Sequence, residues 1–117
     1  MKRVSIAIVE PSPIIREGVA TIVGYNPNLR VVGAVASVAD LQMLMRSTEV
    51  DVVVAAVGVV RDIEGATELQ SMPIIGMQSA IVAPSMLRRF TSVATLYTSE
   101  EELHRMIVEA ADMPADH

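Results

Sequence analysis

Hydrophobic and polar positions along the chain switch repeatedly between two periods. Short β-rich runs alternate with longer stretches whose apolar residues recur three and four apart. "VSIAIVE" predicts a first strand. In "PSPIIREGVATIVGY" Ser12 is placed to cap a helix, Pro13 suits its first turn, and Ile14, Ile15, Val19, Ile22 and Val23 are its apolar positions. A turn, "NPNLR", leads into a second strand, "RVVGAV". Ser37 then opens a helix striped by Val38, Leu41, Leu44 and Met45, with Asp40 in the capping-box position. "VDVVVAAV" is an unbroken apolar run, the pattern of a central parallel strand covered on both faces.

The second half is less regular. "RDIEGATELQSM" has room for one short helix, "PIIGM" predicts strand four, and "APSMLRRFTS" a helix starting at Pro84 or Ser85. "VATLY" predicts strand five. In "SEEELHRMIVEAA" Ser99 is the N-cap and Glu102 its capping-box partner, while Leu103, Met106, Ile107 and Ala110 fall on one helical face. The acidic first turn complements the helix dipole. Strands alternating with helices predict an α/β, flavodoxin-like fold: a doubly wound five-stranded parallel sheet, order 2-1-3-4-5, with a short or remodelled third helix. The domain is expected to span 1–112, with 113–117 a tail or the start of a linker.

Composition narrows the class. At 117 residues, the chain is long enough for one domain with a real core. Its 51% hydrophobic and 20% charged content excludes a disordered polymer. No apolar run approaches the ~18–20 residues of a membrane span. The run after Lys2 and Arg3 ends at Glu10, too short for a signal peptide. Without cysteine there is no disulfide or thiolate chemistry, and a cytoplasmic location is expected. A net charge of −5 argues against direct binding of nucleic-acid phosphates.

"PSPIIREGVATIV", "NPNLRVVGAVASVADL", "VDVVVAAV" and the helix opening "SEEEL" together resemble a response-regulator receiver domain (CheY-like). The subset is the one that precedes LuxR-type helix-turn-helix domains, in which the first helix commonly opens as Pro13 to Gly18 do. The likeness spans nearly the whole chain and is weakest over 61–92. It implies phosphoryl transfer to an aspartate at the tip of strand three. An acidic pair and a magnesium-type ion assist there, with a Ser/Thr after strand four and a Lys at strand five. Mg²⁺ needs hard oxygen ligands, and the attacking group must be a carboxylate. In this sequence the acidic pair falls on Glu10 and Pro11 and the phosphoacceptor on Ala56, or on Ala55 if the register slips by one. The hydroxyl position falls on Gln78, and the lysine position on Leu96 or Tyr97. Nucleophile, most of the metal charge and the phosphate cation are missing together, so a degenerate pseudo-receiver is expected. Asp51 is no substitute, because five strand residues place it ~16 Å from the site. Asp62 and Glu64 lie on the correct side but in what reads as a Gly-containing loop.

Ser12, Ala55, Val57 and Ser79, beside Ala56 and Gln78, are candidates to line a small pocket at the strand ends. Glu10 reads as a solvated or hydrogen-bonded loop carboxylate, His104 as exposed, and the methionines, Met43 and Met77 among them, as core filling. Arg16, Arg105 and Glu109 are candidate interface residues. No catalytic residue, metal site or cofactor is expected, and the chain is not expected to be an enzyme. The expectation is a phosphorylation-independent regulatory and dimerisation module, acting as a homodimer or with a protein partner. It would control transcription through a C-terminal or partner DNA-binding domain and reach DNA only that way. The alternatives are a stand-alone interaction adaptor, or a sensor of a small-molecule ligand.

Overall fold

Val52, Val53, Val54 and Ala55 are all buried, as a strand covered on both faces must be. They belong to β3 (Val52–Ala56), the middle of a five-stranded, all-parallel sheet of order β2-β1-β3-β4-β5 in the computed structural model, which describes residues 3–112. The other strands are β1 (Val4–Val9), β2 (Leu29–Val35), β4 (Ile74–Gln78) and β5 (Ser92–Thr95). The residues expected to form a tail, 113–117, lie outside the described range.

Strand alternation divides the core into two layers. Ile6, Ile8, Val52, Val54 and Ile75 pack with Val19 and Val23 of α1 (Pro13–Gly24) and Leu103 and Ile107 of α5 (Glu100–Ala111). On the other face Ala7, Val9, Val53, Ala55 and Ile74 meet Leu41 of α2 (Val38–Met45) and Ile63 of α3 (Val60–Glu64). Two glycines stand at close approaches, against a movable Leu44 methyl and against the rigid Phe90 ring. A Cβ on Gly33 would meet Leu44 at 2.5 Å, and one on Gly76 would meet the Phe90 ring at 2.8 Å.

The helix starts follow local chemistry. Ser37 Oγ accepts from the Asp40 N–H at 3.2 Å, and Ser99 Oγ from the Glu102 N–H at 3.1 Å. Ser12 stands at the N-cap of α1, but contrary to the expected cap its side chain accepts no backbone N–H. The third helix is short and set between 3₁₀ turns, Val57–Val59 and Thr67–Leu69. Asp62 and Glu64 are therefore helical, not in a loop. α4 (Pro84–Leu87) is a single turn, and Arg89 bonds the carbonyls of Leu69 and, at 3.4 Å, Met72.

Several placements differ from the sequence pattern. β5 ends at Thr95, so Leu96 and Tyr97 follow the strand instead of completing it. Ile14 is 83% exposed and Met43 64%: five apolar positions on α1 exceed the stripe one face can bury, and Met43 lies off the Leu41 face of α2. His104 is half-buried, not exposed, because it reaches α1, where Nε2 lies 2.8 Å from the Ile22 carbonyl oxygen. Among the described residues, no helix is long and apolar enough to cross a membrane.

Candidate functional site

Three strand tips converge where the resemblance places the phosphosite. Ala56 ends β3 and pairs with Met77 of β4, and Val9 at the end of β1 pairs with Ala55. Glu10 and Pro11 continue from β1, and Val57 from β3. Parallel chain direction thus brings these residues to the carboxyl edge of the sheet, where doubly wound folds hold ligands. With Ser79, the residues Glu10, Pro11, Ala56 and Val57 line a cavity of ≈ 250 Å³.

The side chains at this edge are turned inward on the backbone. Glu10 Oε2 accepts the Ser12 N–H at 2.8 Å, so the carboxylate occupies the donor at the start of α1. The Glu10 carbonyl accepts Arg16 Nη1 at 2.8 Å, and its N–H donates to Val35 at 2.9 Å. Arg16 is half-buried and tied to this corner. Arg105 and Glu109 lie on the outer face of α5, where Arg105 pairs with Glu102 and, at 3.5 Å, with Glu109.

Not every predicted site residue reaches the cavity. Ala55 is buried in β3, and Ser12 does not line the cavity. Gln78 pairs with Thr95, sends Nε2 to the Ala80 carbonyl at 3.0 Å, and borders a separate shallow hollow beside Leu96. Of the pocket expected from Ser12, Ala55, Val57 and Ser79, the structure brings together Val57 and Ser79, and adds Ile15 and Met77. Pattern reading missed these two because a half-buried apolar residue on a helix or strand looks like core. Met77 was recoverable from strand pairing, since it stands opposite Ala56.

A divalent ion does not fit these residues. Magnesium sites use one or two carboxylates with further oxygen ligands, whereas here a single carboxylate already accepts a backbone N–H and proline follows it. Among the described residues, no group of three or more His, Asp or Glu could hold a metal ion. Nor can the Ala56 methyl act as a nucleophile. Asp51 lies at the other end of β3, where Oδ2 accepts the Ser5 N–H at 2.8 Å and its own N–H donates to Ser5 at 2.8 Å. The marked titration shifts lie away from the cavity. Burial lowers the Arg89 guanidinium, with Glu64 opposing, and the Arg105 hydrogen bond holds Glu102 below the usual carboxylate range.

Solved structures similar to this chain include receiver domains. The receiver domain of the response regulator NarL from Mycobacterium tuberculosis superposes with a TM-score of 0.77 at 16% identity, covering 97% of this chain and all of that one (100%). A LuxR-family two-component response regulator from Aurantimonas gives 0.74 at 20% identity, over 94% of this chain and 86% of that one. RcsB, seen as dimers bound to DNA, gives 0.74 at 12% identity, over 92% of this chain and 63% of that one. No family model and no curated protein matches the sequence. The chain has the receiver-domain fold, five parallel strands in the order 2-1-3-4-5 with helices on both faces.

Proposed function

We propose that the chain is a pseudo-receiver: a regulatory and dimerisation module of two-component type that works without phosphorylation. The observation that carries this reading is Ala56 at the tip of β3, with Glu10 bonded to the backbone of Ser12. A receiver is a two-state element in which the phosphoryl group biases one state. With a methyl group at the acceptor position, the bias must come from assembly or a ligand. The receiver resemblance also implies a strand-five aromatic that moves with the phosphoryl group, whereas here β5 (SVAT) contains no aromatic residue and Tyr97 beyond it is 98% exposed. Transcriptional control would pass through a DNA-binding domain, C-terminal or on a partner, as the resemblance to LuxR-type regulators suggests. The similarity to RcsB, whose dimers bind DNA, supports the same direction.

Sedimentation of the purified chain tests this, with and without acetyl phosphate and Mg²⁺. The expected result is a dimer whose dissociation constant is the same in both conditions. A dimer that forms only with the phosphoryl donor would contradict the reading. A second reading, a sensor of a small molecule, is favoured by the cavity at the β3 tip and by a second, apolar one between α1 and the start of α5.

A further inference from the structure

Ile15 and Met77 stand between two cavities and line both. One is the ≈ 250 Å³ cavity at the β3 tip, with Glu10 and Ser79 in its wall. The other, ≈ 230 Å³, opens between α1 and the start of α5, against Val19, Ile22, Leu96 and Leu103, with Glu100 at its edge. Joined across Ile15 and Met77, they form a bent, mainly apolar cleft within the ~300–1,000 Å³ range of small-molecule sites. Gly18 borders the groove with no side chain, and a Cβ built on it meets nothing within 4 Å. Leu96 adds an apolar wall where the resemblance calls for a lysine. Met77, which lines both halves, is unbranched and polarisable, a side chain that adapts readily to what packs against it.

Charge selects the occupant. Among the described residues, Glu10 and Glu100 are the only ionisable side chains that line the two cavities. Glu10 Oε2 accepts the Ser12 N–H, leaving Oε1 for a donor from the cavity. Arg16 lines neither cavity, and its Nη1 is held by the Glu10 carbonyl. An anionic head group would face a carboxylate with no cationic side chain lining either cavity, whereas a cation there gains Coulomb energy and a hydrogen bond. We infer that the cleft binds a small cationic amphiphile, with its ammonium head at Glu10 and its apolar tail passing Ile15 and Met77 into the groove between α1 and α5. The inference builds on the phosphate-independent reading in one respect: it supplies the input such a module needs. A tail wedged between α1 and α5 favours whichever packing of these helices accommodates it, in proportion to its differential affinity.

Octylammonium, octanol and octanoate, each below its micelle concentration, serve as probes of the whole chain. Saturable shifts of the Met77 and Ile15 methyl signals and a rise in Tm are expected with octylammonium, with octanoate at least about tenfold weaker. Glu10→Gln is expected to remove most of that preference. Gly18→Leu fills the groove while improving helix propensity, so it is expected to abolish the saturable shifts in a protein that stays folded. No saturable shift, equal binding of octanoate, or unchanged binding in Gly18→Leu would each overturn the inference. Failure here is distinct from failure of the phosphate-independent reading, which a covalent phosphoryl adduct reports whether or not an amine binds.

Discussion

Glu10 turns its carboxylate back on its own chain, Oε2 taking the Ser12 N–H at 2.8 Å. A residue that the receiver resemblance makes a metal ligand is here a backbone-capping group, and the serine beside it makes no cap of its own. Glu10→Ala is expected to lower stability by about 1–2 kcal/mol, the usual worth of a cap or charge-assisted bond. Glu10→Gln keeps an acceptor oxygen and is expected to lose less. Urea unfolding measures both, and neither variant nor the parent is expected to gain Tm on addition of Mg²⁺.

The ring of Phe90 lies where a Gly76 side chain would be. Gly76→Ala is therefore expected to destabilise by about 1–3 kcal/mol through overpacking in β4. In a Phe90→Leu background the same substitution is expected to cost clearly less. A double-mutant cycle in urea reads that coupling directly.

His104 joins α5 to the last turn of α1 through the Ile22 carbonyl. His104→Ala removes a single hydrogen bond and is expected to cost about 0.5–1.5 kcal/mol. Backbone chemical-shift changes are expected to cluster at 22–25 as well as around the mutated site. Changes confined to α5 would contradict the contact.

The Arg105 hydrogen bond keeps Glu102 below the usual carboxylate range. A depressed carboxyl pKa adds stability above the unfolded-state value, and that contribution is lost as pH falls through the folded-state value. Arg105→Ala is expected to move the Glu102 midpoint upward in an NMR titration. The stability this pairing adds above the acid range, neutrality included, is then reduced, while stability below both midpoints is unchanged.

Much of this architecture was legible from pattern. The unbroken run at 52–55 announced a central strand, and the capping residues Ser37 and Ser99 fixed two helix starts. Ala56 and Glu10 could be placed on the same edge because parallel strands present all their C-terminal ends together. Pattern failed where tertiary contacts override it. Leu96 and Tyr97 look like strand residues, but the Thr98 hydroxyl accepts the Thr95 N–H at 2.9 Å in the turn that ends β5. Ser12 has the right chemistry for a cap, yet its side chain accepts no backbone N–H, and the cap-like bond at this helix start is the Glu10 carboxylate on the Ser12 N–H. His104 lies on the polar side of a helical wheel, and only the packing of α5 beside α1 reveals its acceptor. The cleft at Ile15 and Met77 was hidden for the same reason, since cavities arise between elements rather than within them.

Intact-mass measurement of the purified chain after incubation with acetyl phosphate and Mg²⁺ tests the loss of phosphoryl chemistry most directly. The expected spectrum shows only the unmodified protein, because the group at the β3 tip is the methyl of Ala56. A stoichiometric adduct of one phosphoryl group, removed by hydroxylamine as an acyl phosphate is, would contradict the account.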